Sequence, residues 1–394
     1  MAIQNDLAAE LAALSPELRT VLERHHFEPE RLIGLSQRLA RRGSGEGGQA
    51  PDNRIGGAVL PPQPDELRVL PEPGSPEHEE LAQRGRALLE AGQVAFCVMA
   101  GGMATRMGGV VKALVPIWSG VRFLDYRLAE ARSWAERYGK PVPLWLMTSD
   151  ATGAPLREAL DEIRREQPEH AAALAEVHTF SQALSLRLRE DGSLFRGQDG
   201  EPSRFATGHG DLVDGLRASG LCERFLQSGG KYVWIANLDN LGATIDEALL
   251  GYVDRAAARL AVEVCDKVEG DRGGIPVHAG GKLQVLEEFR LPPDFDASTV
   301  PSFNTNTFLV SAEDLQNAPF TWTYFEVQKT VEGTPVVQSE RLLQEMTAHL
   351  DALYVRVPRT GLASRFLPVK DLKELASRGP FLQELARARG LALQ

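Results

Sequence analysis

The chain has 394 residues, 43% of them hydrophobic and 25% charged, which is a globular balance with length for one large α/β domain with additions or two to three ordinary ones. Its formal net charge of −11, from 54 acidic against 43 basic residues, excludes a non-specific nucleic-acid binder with a broad positive surface but leaves room for a pocket that takes an anion. No apolar run reaches the roughly 18 residues of a membrane span and the first residues carry no basic-then-apolar signal pattern, so a cytoplasmic protein with neither nucleic-acid nor membrane partners is expected.

Residues 1–41 have helical periodicity, with Ser15-Pro16 as an N-cap and first-turn pair. Residues 42–75 are dense in Gly, Pro and charge and predict an irregular linker. A helix near "PEHEELAQRGRALLEAG" then leads into "VAFCVM". From there apolar runs alternate with amphipathic ones: "RFLDYRLAEARSWAERYG", "VPLWLM", "GAPLREALDEIRREQ", "AEVHTF". This is the rhythm of a parallel sheet covered on both faces. Later strands are "YVWIA", "LAVEVC", "NTFLV" and "LYVRV", giving a main unit over 76–376 and a last helix over 377–394. Cys97, Cys222 and Cys265 are far apart and suggest neither a disulfide framework nor a zinc site.

In open α/β sheets ligands gather beyond the carboxyl ends of the strands, so the residues after each apolar run carry the functional reading. Gly101 and Gly102 follow the first strand, where missing Cβ atoms let main-chain N–H groups approach a phosphate or a base. Arg106 and Lys112 add positive charge. The order fits neither a Walker loop nor GxGxxG, and a plain strand-to-helix turn is the alternative. Thr148, Ser149 and Thr152 follow the second strand, Gln182 the third, and Asn237, Asp239 and Asn240 the fourth. Singly these are loop or capping residues; together they form a candidate ligand rim.

"FATGHGDLVDGL", "WIANLDNLGATIDEAL", "GGKLQVLEEFRLP", "SFNTNTFLVS" and "SRFLPVKDLKEL" are similar, in order, to motifs of the UTP–glucose-1-phosphate uridylyltransferase family, and the opening loop resembles its GGxGTxxG…PK signature. The resemblance covers roughly Val94 to Leu375. It implies a Rossmann-like, GT-A-like nucleotidyltransferase fold, a mixed and mainly parallel sheet flanked by helices with an N-terminal helical extension. It also implies transfer of a uridylyl group from UTP to a sugar 1-phosphate. Such an in-line displacement needs alignment and charge neutralisation rather than a protein nucleophile, in keeping with the lack of a Ser/His/Asp or Cys/His constellation.

Residue by residue, the resemblance gives Gln182 to the uracil, whose N3–H and O4 match one side-chain amide. Gly101, Gly102, Gly208, His209 and Asn237 fall to the nucleotide, with a capping or core role open for His209. Asp239 is the implied Mg²⁺ ligand, with helix capping near Thr244 as its alternative. Lys112, Lys370 and Arg106 are the implied catalytic cations. Gly274, Glu287, Asn306 and Glu340 are implied sugar contacts.

The chain departs from the pattern at Ala104, which replaces a glycine, at Val111, which replaces proline, and in a stretch from Gly108 to Lys112 that is one residue short. If residue 104 needs left-handed torsions, alanine costs roughly 1–2 kcal/mol. No carboxyl-terminal β-helix follows, so a monomer or weak dimer is expected. A UDP-N-acetylhexosamine pyrophosphorylase and a catalytically silent UDP-sugar binder are the competing readings.

Overall fold

The computed structural model describes residues 7–43, 53–104, 107–118 and 120–393. Among them, no helix is long and apolar enough to cross a membrane. Eight strands build the central sheet: β1 (Leu67–Val69), β2 (Val94–Met99), β3 (Leu144–Thr148), β4 (Val177–Ser181), β5 (Tyr232–Asn237), β6 (Leu260–Asp266), β7 (Ser302–Ser311) and β8 (Ala352–Arg356). Their order is β1-β8-β6-β7-β5-β2-β3-β4. Neighbours are parallel except at β7, which runs antiparallel to β5 and β6. The parallel sheet expected from the apolar rhythm is therefore present, in the mixed, mainly parallel form that the resemblance implied.

Every residue of β2 is buried. Val94, Phe96 and Val98 enter the core on one face, and Ala95, Cys97 and Met99 enter the core on the other. Phe96 meets Trp134 of helix Phe123–Tyr138 at 5.0 Å between ring centroids, and Trp145 of β3 meets Phe225 at 5.5 Å on the opposite side. Burial of each such side chain contributes roughly 1.5–3 kcal/mol, so helices on both faces fix the sheet and the strand ends that carry the site.

The amino-terminal helices Leu7–Ala12, Pro16–Arg24 and Pro29–Gly43 begin as their sequence dictates, with Ser15 Oγ accepting the Leu18 N–H at 3.1 Å. Leu22, Leu32, Leu35 and Leu39 pack against Leu184, Leu186, Leu188 and Val337. The helical segment thus clamps the chain just beyond Gln182.

Two sequence expectations give way. Within 42–75, Leu67–Val69 forms the sheet edge beside β8 and Val59–Leu60 pairs with Ile275–Ala279; strands this short carry no periodicity. The last helix spans Leu372–Ala388 rather than starting at 377, because Asp371 accepts the Glu374 N–H and sets its beginning earlier.

Candidate nucleotide-binding site

The carboxyl ends of β5, β2, β3 and β4 lie side by side, and the residues that follow them line a cleft of about 300 Å³. Gly101, Gly102, Lys112, Gln182, Gly208, His209, Asn237 and Asp239 all face it, with Met99, Met103, Met147, Ala206 and Leu238 supplying apolar walls. Eight of the residues singled out from sequence are therefore brought to one place.

Gln182 is buried, and three neighbours pin its backbone. Its N–H donates to the Thr148 carbonyl at 2.8 Å, its carbonyl lies 3.4 Å from His25 Nδ1, and the next N–H, of Ala183, donates to Asp211 Oδ2 at 3.1 Å. A Cβ built on Gly101 would stand 3.2 Å from atoms of the Gln182 amide. Glycine at 101 thus lets the loop lie flat against the amide. Ser149 Oγ donates to the Gly101 carbonyl at 2.9 Å and fixes the loop from behind.

The expected strain at Ala104 does not arise. Met103–Ala104 pairs with Val110–Val111 as a small hairpin, and the left-handed torsions fall on Gly108 (φ 92°) and Gly109 (φ 73°), where they carry no steric cost. Arg106 lies outside the described residues.

Gly208 has φ 100° and sits so close to Arg341 that a Cβ would approach the Arg341 carbonyl to 2.4 Å. Arg341 pairs with Asp211 and, at 2.5 Å, with Asp214. Asp211 also accepts from Thr207 Oγ1 at 2.6 Å. One buried knot therefore holds both the "TGHGD" turn and the segment after Gln182. His209 Nδ1 accepts the Leu343 N–H at 3.0 Å, which leaves the ring proton on Nε2. Burial pulls its pKa down to about 4, so at neutral pH His209 is an uncharged donor.

On the other side of the cleft, Lys112 Nζ donates to Asp239 Oδ2 at 2.5 Å. Asp239 does not cap a helix: the helix that follows spans Glu247–Arg255, and Asp246 caps it. The Asp239 carbonyl accepts the Val369 N–H at 3.0 Å. Asn240, fully buried, bonds the Arg365 carbonyl at 3.1 Å and the Leu367 N–H at 2.7 Å. These bonds lay "RFLPVK" alongside "NLDN" and bring Lys370 one residue past the contact with Asp239. The Lys370 side chain is exposed and lies outside the cleft lining.

A bulge shapes the residues beside the cleft. β6 and β7 lose register between Glu263 and Val264, whose partners are Thr307 and Asn304. Asn306, in the excess, takes φ 55°, and its Nδ2 donates to Asn237 Oδ1 at 3.2 Å. Asn306 Oδ1 is buried with no hydrogen-bond partner, an acceptor ready for a ligand hydroxyl. Glu287 accepts from Gln344 Nε2 at 2.6 Å, lies near Gly274, and is pushed up to about 7 by burial and by the like charge of Glu288.

Glu340 does not line the cleft of Gln182 and Asp239. It lines a separate cleft of about 1130 Å³ with Phe289, Phe325 and Leu342. Thr148, Thr152 and Asn240, grouped with the rim from sequence, make internal bonds instead: Thr148 Oγ1 donates to the Phe180 carbonyl at 3.1 Å and Thr152 Oγ1 accepts the Ser149 N–H at 2.9 Å. Sequence reasoning passed over His25, Asp211, Arg341 and Gln344, which hold Gln182, the segment after it, Gly208 and Glu287. Only Asp211 carried a local signal, through its place in "GHGD".

The sequence profile of the UTP–glucose-1-phosphate uridylyltransferase family matches residues 63–382. The UTP–glucose-1-phosphate uridylyltransferase of Musa acuminata is 31% identical over 327 residues, 79% of this chain and 67% of its own length. The chain spans 58–67% of the length of the curated relatives it matches. Two solved structures share the fold. A UDP-glucose phosphorylase from Trypanosoma brucei has TM-score 0.68 and 22% identity, with 93% of this chain and 76% of that one covered. A uridine diphosphate N-acetylglucosamine pyrophosphorylase from the same organism, in complex with inhibitor, has TM-score 0.70 and 20% identity, with 89% and 75% covered.

Proposed function

The chain belongs to the UTP–glucose-1-phosphate uridylyltransferase family, and from that premise we propose that it joins UTP and glucose 1-phosphate to give UDP-glucose and pyrophosphate. The observation that carries this reading is the convergence of Gln182, the Gly101-Gly102 main chain, His209, Lys112 and Asp239 on one cleft. A phosphate oxygen of the sugar 1-phosphate attacks the α-phosphorus. The bond from that phosphorus to the bridging oxygen of the leaving pyrophosphate breaks, and no proton needs a protein base.

In this reading the Gln182 amide both donates to and accepts from the uracil edge, and the Gly101 and Gly102 main chain lies against the nucleotide. His209 Nε2 donates a neutral hydrogen bond. Lys112 and Lys370 neutralise phosphate charge, and each such transition-state contact is worth roughly 3 kcal/mol. Asn306 and Glu287 take sugar hydroxyls.

The donor set also fits magnesium. Asp239 is a lone carboxylate, and the described residues hold no group of three His, Cys, Asp or Glu able to seize a metal. Magnesium binds readily through one carboxylate plus substrate phosphates and water, and when bound it would neutralise phosphate charge.

The decisive assay is pyrophosphate release from UTP across a panel of sugar 1-phosphates, with and without Mg²⁺. Glucose 1-phosphate should be the preferred acceptor. Preference for N-acetylglucosamine 1-phosphate would move the chain to the hexosamine reading. UDP-glucose binding with no pyrophosphate release would leave a silent binder.

A further inference from the structure

Lys112 and Asp239 are 127 residues apart in sequence yet form a close ion pair, their side chains 16% and 20% exposed. Both line the cleft assigned above to the nucleotide. Lys112 is tied by its own N–H to the Gly102 carbonyl at 3.3 Å, so its ammonium hangs from the glycine loop that faces the phosphates. Asp239 is fixed by its bond to Val369 and by the neighbouring Asn240. Both main chains are thus held, and of the two side chains the lysine, on its flexible four-carbon stem, is the more movable.

We infer that Lys112 guards Asp239: the ammonium holds the carboxylate until a triphosphate draws it away, so a divalent cation reaches Asp239 only together with the nucleotide. The inference rests on the reading of this cleft as a UTP site. An ammonium and a divalent cation cannot share one carboxylate oxygen at close range, because their mutual repulsion in a partly buried site offsets what each gains. With no second carboxylate among the described residues that line the cleft, a free metal ion competes poorly. Triphosphate oxygens change the balance by giving Lys112 a richer anionic partner and the metal its remaining ligands. When pyrophosphate departs, Lys112 returns to Asp239 and the metal loses its protein ligand with the product. The guard therefore couples metal occupancy to nucleotide occupancy at both ends of the turnover.

The test uses Mn²⁺ as probe and electron paramagnetic resonance as readout on the full chain. Asp239→Asn is the blank that subtracts other acidic sites. Without nucleotide, wild type should show little Mn²⁺ uptake above this blank, and Lys112→Met should bind Mn²⁺ at least about tenfold more tightly, the scale of removing one like charge beside the site. Lys112→Arg, which keeps a cation, should stay weak.

A non-hydrolysable UTP analogue should restore tight Mn²⁺ binding in wild type. Equal Mn²⁺ affinity of wild type and Lys112→Met without nucleotide overturns the guard. If Lys112→Met fails to fold by circular dichroism, wild type alone decides, since Mn²⁺ bound at Asp239 as tightly without the analogue as with it also overturns the guard. If Mn²⁺ uptake by wild type is weak without the analogue and stays weak with it, the UTP reading of the cleft falls, while the comparison of wild type with Lys112→Met still decides whether the lysine excludes metal.

Discussion

The Gln182 amide lies against the Cα of Gly101, and a methyl group there would come within 3.2 Å of its Cδ, Oε1 and Nε2 atoms. Because that contact is with the end of a side chain rather than with backbone, Gly101→Ala can fold by shifting the amide a few tenths of an ångström. The strand beneath it is untouched. Hydrogen bonds to the base depend on alignment, so Gly101→Ala should raise KM for UTP about tenfold and narrow the preference for UTP over CTP, with Tm little changed. Steady-state kinetics on both nucleotides checks this. An unchanged base preference in Gly101→Ala, and likewise in Gln182→Ala, would remove Gln182 from the base-reading role.

Glu287 gives the site a pH dependence whose sign follows from its burial. Its carboxyl rises from the ordinary 4.5 to about 7. Between those values the folded protein keeps a proton that the unfolded chain has released, so the stability it contributes is lost as pH rises through that window. A shift of that size corresponds to about 3 kcal/mol at most. Glu287→Gln should therefore be more stable than wild type at pH 8 and nearly equal to it at pH 4.5 by urea denaturation. If the ionised carboxylate is what accepts the sugar hydroxyl, KM for the sugar 1-phosphate in wild type should fall as pH rises through about 7. Identical stability profiles for the two proteins would show that the Glu287 carboxyl titrates alike in the folded and unfolded chain.

His209 shifts the other way. With its pKa drawn from 6.5 down to about 4 by burial, the folded protein refuses a proton that the unfolded chain accepts. Its contribution to stability is complete above 6.5 and declines as pH falls toward 4. The Leu343 N–H on Nδ1 reinforces the neutral ring. Proton NMR of the His209 C2–H should show no titration between pH 5.5 and 8, and UTP binding should show no inflection there that His209→Asn removes. A resonance midpoint near 6.5 would contradict the buried neutral tautomer.

Gly101, Gly102, Gln182, Asn237 and Asp239 were legible in sequence because they obey a local rule, lying at or just past the end of an apolar run in the parallel sheet, as Gly101 follows β2 and Gln182 follows β4, whereas Gly208 and His209 came from the resemblance. The residues that hold them obey no such rule. His25 sits 157 positions from Gln182 and reaches its carbonyl only because leucines of the amino-terminal helices pack on Leu184 and Leu186. Arg341 acts on Gly208 through its backbone carbonyl, which no side-chain pattern announces. Asn306 lies inside β7, and only the bulge opposite Glu263 and Val264 turns it toward Asn237. Glu340, carried over by resemblance alone, ends the hairpin Phe325–Val331 and Thr334–Glu340 and lines a cleft with Glu288 and Phe289.

Lys370 separates catalysis from stability more cleanly than any other position. Its side chain is exposed, so truncating it opens no cavity and strands no buried partner. Its backbone is fixed independently, by its own N–H to Glu374 at 2.6 Å and by Val369 to Asp239. Lys370→Ala should therefore keep the wild-type Tm within about 1 °C, as exposed substitutions usually do, while kcat falls about a hundredfold or more, the scale of losing one charge contact in the transition state. Asn240→Ala supplies the contrast. It removes two buried bonds that lay the Lys370 segment beside Asp239, so it should lower both kcat and Tm. Pyrophosphate-release rates and thermal unfolding on the two variants distinguish these outcomes, and near-normal turnover in Lys370→Ala would mean that the phosphates are neutralised by Lys112 and the metal without it.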